Sequence, residues 1–397
     1  MRWLPLLAML AGCYESKVVT FDGSVPDREV PPDRTAPPIP GCGDIPDVDE
    51  TGFTPSIAVA EAPEVRLQGS DFEIAWFDDC RQHLYWVENR GGLVIAGAVV
   101  DGGRLVFGPF DVVADVPPEV RPDSIAARRL GDRVAVYWIT DEGRRLYRRF
   151  VSSTGVASSD LELLADGIGN RLPLSVFDDP EAGHQVLVQL AEIPHVIHAR
   201  EMGAGEPMEV GNEPRSWVYA AAAGRDGSLQ FAWADRSPGG EDRLFRWEAR
   251  PSERMVGPLR PVITSENIIL SFFAEPTVYF DDNEVFYVGV SFFTEGSAVL
   301  AIDESDAPVV FALPEAGRPV VGRSGDSVLA LVGEREGATL SFYELDPILG
   351  QVRDAQQLLD SGARASAYAL TADRAIGVGW VVQNTELRYR YRPRRPR

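Results

Sequence analysis

From about residue 56 onward the apolar positions fall into short runs of β-branched and aromatic residues parted by Gly, Asp and Pro, with no sustained 3.6-residue spacing. The pattern predicts strands and turns without helices. The strongest run of each segment covers residues 84–87, 134–139, 186–191, 229–234, 285–293, 328–332 and 375–382, and the starts recur about every 48 residues. A second run follows each one, at 93–100, 146–151, 195–199, 244–249, 298–303, 340–345 and 387–392. Two series keep the same pace, so one unit is repeated.

The run 134–139, Val-Ala-Val-Tyr-Trp-Ile, is apolar without interruption, which requires cover on both of its faces. By contrast Arg388-Tyr389-Arg390-Tyr391-Arg392 alternates, as a half-exposed outer strand would. Units of this length with four short strands, each too apolar to stand alone, predict an all-β fold: a single closed β-propeller of about seven four-stranded blades over residues 56–392. Six or eight blades are the alternatives in number, and a pair of β-sandwiches is the alternative in kind, although it gives no reason for the even spacing. The last unit holds only three strands, at 366–370, 375–382 and 386–392, while a spare one begins at Ile57-Ala58-Val59-Ala60. Pairing the spare N-terminal strand onto the last blade completes it and removes two free edges.

The chain's 397 residues, 45% hydrophobic, are enough for a large core. Sixty acidic against 38 basic residues leave a net charge of −22, which repels phosphate backbones, so no nucleic acid partner is expected. Residues 13–55 are rich in proline and acid and lack apolar periodicity, which reads as an extended tether. At the other end six arginines lie between 388 and 397, with 393–397 as a basic tail. They read as a solvated edge strand and its proline-broken end, or as a partner for the acidic tether or for an anionic envelope polymer.

Met1-Arg2, the apolar run 3–10 and Leu10-Ala11-Gly12-Cys13 together resemble the bacterial lipobox. The resemblance implies a signal peptide over 1–12, cleavage before Cys13 and acyl chains on Cys13 that hold the protein on a membrane. Tyr14 in the following position implies the outer membrane of the cell envelope. Cys42 and Cys80 then remain as an even pair in an oxidising compartment, and a disulfide clipping the tether to the first blade is expected, with two unpaired thiols as the alternative. Leu84-Tyr85-Trp86-Val87-Glu88-Asn89 and Val136-Tyr137-Trp138-Ile139-Thr140-Asp141 resemble the YWTD repeat, with weaker echoes at 231–235 and 379–380. That likeness covers two units well and points to secreted bacterial propeller lipoproteins in general.

Acidic residues recur at hairpin turns: Asp78-Asp79, Asp132, Asp178-Asp179, Asp226, Asp281-Asp282, Asp326 and Asp373. Turn chemistry explains them, since Asp bonds its own backbone. A calcium-binding ring of carboxylates is the sharper reading, but no Asp-x-Asp-x-Asp-Gly loop is present to preorganise it. His195 and His198 stand three apart on a strand and face opposite sides, so they read as structural, as do His83 and His184 beside turns. No nucleophile elbow, zincin helix or phosphate loop occurs, and no catalytic residue, metal ligand or cofactor is assigned. The expected protein is a monomer, anchored to the membrane by lipid on Cys13, whose propeller is a non-catalytic binding or scaffolding module for an unknown envelope protein or glycan. The alternatives are a lactonase-like or glycan-cleaving propeller enzyme and an outer-membrane assembly factor.

Overall fold

The computed structural model describes residues 18–19 and, with gaps at several inter-strand loops, residues 45–393. The chain is all-β and of the seven-bladed β-propeller class, with seven sheets whose strands follow one another in chain order. Blade 1 consists of Phe72–Trp76, Arg81–Asn89, Leu93–Asp101 and Arg104–Val113, and blade 2 of Pro122–Leu130, Arg133–Thr140, Leu146–Ser152 and Glu162–Ala165. Blade 3 consists of Ser175–Asp179, Gly183–Leu190, Ile193–Arg200 and Met208–Glu209. In blade 4 the strands Val218–Ala223, Leu229–Arg236 and Asp242–Arg250 are followed by two pieces, Met255–Val256 and Arg260–Ser265, that share the third strand's free edge. Blade 5 is Val278–Phe280, Phe286–Phe292, Gly296–Ile302 and Val309–Leu313, and blade 6 is Val320–Ser324, Ser327–Gly333, Leu340–Asp346 and Gln351–Gln357. Blade 7 is Ala365–Ala372, Ile376–Val382 and Glu386–Arg392, completed by the N-terminal strand Ile57–Glu61 lying antiparallel to Glu386–Arg392. Two compact units divide these strands: one takes blades 7, 1 and 2 with most of blade 3, the other takes the rest of blade 3 with blades 4, 5 and 6.

The two apolar series of the sequence are the second and third strands of each blade. Along a second strand, alternate residues enter different cores. Val134, Val136 and Trp138 pack with Tyr85, Val87 and Ile95 between blades 1 and 2, whereas Ala135, Tyr137 and Ile139 pack with Val186, Val188 and Ile197 between blades 2 and 3. In blade 1 Trp86 and Leu84 join Tyr389 and Tyr391 in the core shared with blade 7. Blades 4, 5 and 6 repeat the arrangement, with Val288 and Leu300 on one side of blade 5 and Tyr287 and Val299 on the other. At the junction of blades 7 and 1 the Tyr389 hydroxyl donates to Gln82 Oε1 inside the core. Gly377 makes room for this pair, since a Cβ there would collide with both residues.

Two expectations are corrected. The segment 388–392 is a third strand, and the outer position of its blade belongs to Ile57–Glu61; Arg390 and Arg392 are buried with Tyr389 and Tyr391. Packed structure also begins before residue 56, inside the segment read as tether. Phe53 and Thr54 are fully buried, Arg390 pairs with Asp49, and the Arg390 and Arg392 guanidiniums lie 5.5 and 5.6 Å from the centre of the Phe53 ring. Thr54 N–H donates to Tyr391 O at 2.7 Å and Arg390 Nε donates to Thr54 O at 2.9 Å. Composition hid this because the ordering force is a cation–carboxylate pair and one aromatic ring, with no repeating apolar pattern. Farther up the same segment, Val18–Val19 pairs in parallel with Val310 and Phe311 of blade 5. Residues 394–397 of the basic tail lie outside the described residues.

Trp86 is fully buried, and its indole N–H donates to Glu88 Oε2 at 2.7 Å. Trp86→Ala is expected to lower the stability of the full chain by about 3–5 kcal/mol in urea unfolding. The same change at Met202, which is 87% exposed, is expected to alter it by less than about 0.5 kcal/mol. Equal midpoints for the two variants would contradict the two-faced core.

Candidate interaction surface

The third and outer strands of blade 1 are joined by Asp101-Gly102-Gly103-Arg104, with φ of +55° and +84° at the two glycines, the geometry of a tight primed hairpin turn. This turn is where the N-terminal segment rests: Cβ atoms built at Gly102 and Gly103 would press on Ile45 and Thr54. Immediately after the turn the outer strand carries Leu105, Val106 and Phe107, and all three are exposed, at 37%, 56% and 46%. The Phe107 ring stacks on Phe110, with centroids 5.5 Å apart. Gly155 of blade 2, at φ +89°, abuts both rings, and the next residue, Val156, is 63% exposed.

Arginines fasten the two blades beneath this apolar ridge. Arg149 of blade 2 donates through Nη1 to Val112 O at 2.7 Å and through Nε to Ser158 O at 2.6 Å. Arg81 reaches from Asp101, 3.2 Å away, to Ser153 O at 3.4 Å. The outer strand of blade 6, Gln351–Gln357, is by contrast mostly polar, and its two apolar residues, Val352 and Ala355, pack against the core. Contiguous exposed apolar residues on a fixed frame are the signature of a contact surface. Nothing in the repeat pattern flagged Leu105–Phe107, because an apolar strand residue reads as core until its blade position is known.

Cys80 lies beside the hairpin turn. It closes the Asp78-Asp79-Cys80 turn, where Asp78 Oδ1 accepts the N–H groups of Cys80 and Arg81 at 2.9 and 2.7 Å, and its carbonyl accepts from Gly102 N–H at 2.9 Å. Cys13 and Cys42 lie outside the described residues. Among the turn carboxylates, Asp226 accepts Ser228 N–H at 2.9 Å, and hydrogen bonds from Ser228 hold its pKa below the ordinary value. Asp179 accepts from His198 Nδ1 at 2.6 Å, and His195 Nδ1 donates to Ile193 O at 3.0 Å. The structure therefore gives the two histidines separate partners. Asp281, Asp282, Asp326 and Asp373 lie outside the described residues.

The other two histidines are spent inside the protein. His184 Nε2 donates to Arg129 O at 2.9 Å, which leaves Nδ1 to accept the Tyr137 hydroxyl at 2.8 Å, so the ring is neutral with its proton on Nε2. His83 Nδ1 lies 3.1 Å from the Tyr85 hydroxyl and its ring stacks on Phe77. Burial, reinforced by the Arg81 charge, lowers the His83 pKa to about 4; burial also lowers that of His184.

No protein-family model matches the chain and no curated protein does. Solved structures share its fold. An ulvan lyase, described as a new polysaccharide lyase family and bound to -[GlcA(1-4)Rha3S]-, is 8% identical, with 85% of this chain and 94% of that one covered at a TM-score of 0.55. The polysaccharide lyase Uly1 is 10% identical, with 92% and 95% covered at 0.52. A protein of unknown function from Dyadobacter fermentans is 10% identical, with 86% and 99% covered at 0.49. At such identities the two lyases show a likeness of fold alone.

The buried histidines couple stability to pH. The unfolded chain takes up a proton on His83 near the ordinary value of 6.5, while the folded chain resists until about 4, so stability is lost as pH falls through that window. Between pH 7 and pH 5 the loss from His83 is expected to be about 1–2 kcal/mol. The urea midpoint of the wild type should fall over that range, and the fall should be smaller in a His83→Gln/His184→Gln variant. Parallel pH profiles would refute the assignment.

Proposed function

We propose that this protein is a lipid-anchored component of the cell envelope whose propeller serves as a non-catalytic binding module, docking a protein partner through the ridge Leu105–Phe107 and Val156. The ridge is the observation that carries the reading: three consecutive exposed apolar side chains and a fourth from the next blade, on strands locked together by Arg149. Burying an aromatic and three aliphatic side chains supplies association energy without any catalytic group. Anchoring rests on Leu10-Ala11-Gly12-Cys13, and the tether reaches the folded body on the hairpin next to the ridge. Attachment and recognition would thus share one corner of blade 1.

A photocrosslinking residue placed at Val106 should yield a discrete heavier species in the producing cells, which the same residue at Met202 should not. Phe107→Asp should abolish it while leaving the melting temperature within a few degrees. No species at Val106, or the same one at Met202, would reject the ridge. Cys13→Ser should move the protein from the membrane fraction to the soluble one, and persistence on the membrane would reject the anchor.

We further propose that Cys42 and Cys80 are bonded. Ile45 touches Gly102, which bonds the Cys80 carbonyl, and three residues of chain span up to about 10 Å, enough to bring Cys42 to Cys80. Thiol titration of the unreduced mature protein should find no reactive cysteine. Two would disprove the bridge.

A further inference from the structure

The first strand of blade 2 ends in Arg128-Arg129-Leu130, and both arginines are exposed. Consecutive strand residues project to opposite sides, so the two guanidiniums straddle the strand. Arg128 Nε donates to Val176 O in the first strand of blade 3 at 3.0 Å. Arg129 donates through Nη1 to Phe77 O, just beyond the first strand of blade 1, and through Nε to Gly131 O at 2.8 Å. Its guanidinium carbon lies 4.7 Å from the centre of the Phe77 ring and 6.0 Å from that of the half-buried Trp76.

The pair bonds main-chain carbonyls and no carboxylate, as Arg149 also does, but Arg128 and Arg129 stand side by side and exposed. In this acidic unit other arginines have found carboxylates: Arg81 with Asp101, Arg133 with Glu201, Arg145 with Asp166 and Arg148 with Glu162. Among the described residues neither Arg128 nor Arg129 has an ion-pair partner. Each is oriented by main-chain carbonyls that consume one or two of its five donors, so the remaining donors are fixed in direction and uncommitted. The opposing charge nearby is Asp178, on the strand that carries Val176, 84% exposed and 3.9 Å from His184 Nε2.

We infer that the first strands of blades 1, 2 and 3 carry a binding site for a carboxylate-bearing polysaccharide, with Arg128 and Arg129 each gripping the acid group of a different sugar and the Trp76 indole flanking the second. Because the guanidiniums stand on opposite sides of a strand, one small anion cannot satisfy both; a polymer with spaced charges can. The chain's net charge of −22 penalises a densely charged polymer such as single-stranded DNA more than one with about one charge per sugar. This site is separate from the ridge and does not rest on the partner proposed for it.

The test is calorimetric titration of the full chain in detergent with a polygalacturonate oligosaccharide, a neutral dextran of equal length, inorganic phosphate and single-stranded DNA. The uronate should bind with an affinity that falls with salt, and the dextran should not bind. Arg128→Gln and Arg129→Gln should each weaken uronate binding about tenfold, the loss of one charge-assisted contact. Asp178→Asn should tighten it, and Val106→Asp should leave it unchanged. Uronate binding no better than dextran, phosphate competing at the oligosaccharide's own affinity, tighter binding of DNA, or full affinity in correctly melting arginine variants would each overturn the site. Should the arginine variants fail to fold, unchanged affinity in Asp178→Asn would overturn it instead.

Discussion

A β-strand with an apolar side chain at every position has no stable place in a single sheet that faces water on one side. Val134–Ile139 is such a strand, and its alternate residues are divided between the core with blade 1 and the core with blade 3. The second strands of blades 1 and 5 are divided in the same way, and blade-on-blade stacking is what satisfies them. The described cores combine β-branched residues with between one and four large rings, and each blade in them depends on its neighbour.

This dependence explains which parts of the fold were legible. The second and third strands announce themselves, because their burial is imposed from both sides and leaves uninterrupted apolar runs such as Val328–Val332. The completing strand was legible by arithmetic, from three strands at the end and a spare at the beginning. Outer strands were not, since only one face is constrained: Gln351–Gln357 and Arg104–Val113 occupy the same position with opposite character. The reading of Arg388–Arg392 failed for a related reason. Alternating charge suggested solvent, but Arg390 is neutralised by Asp49 and capped by Phe53, from a segment more than three hundred residues away in sequence. A long-range ion pair leaves no local mark.

The surface chemistry was harder still to read. Leu105, Val106 and Phe107 have the composition of core residues, and they become an exposed ridge only because Gly102 and Gly103 turn the chain onto the outside of the blade. Arg128 and Arg129 are unremarked in a chain with 38 basic residues until the ion pairs of their neighbours are known. Histidine was the easier case: His83 and His184 read as structural beside their turns, and each is held between hydroxyl, carbonyl or ring partners within the blade stack.

The N-terminal segment ties the two levels together. Residues 49–54 contribute an acid, a ring and a hydroxyl to the back of blade 7, while Ile45 and Thr54 rest on the hairpin turn of blade 1. The segment therefore laps the same junction that the strand Ile57–Glu61 completes. Between Ile45 and that strand the chain is held at Asp49 by Arg390 and at Thr54 by main-chain hydrogen bonds, so charge pairing and backbone bonding act together just before the completing strand. A blade completed by a strand from the far end of the chain gains from such reinforcement, because otherwise only the pairing of Ile57–Glu61 with Glu386–Arg392 closes the seam. The buried arginines of the last strand are best understood as that reinforcement.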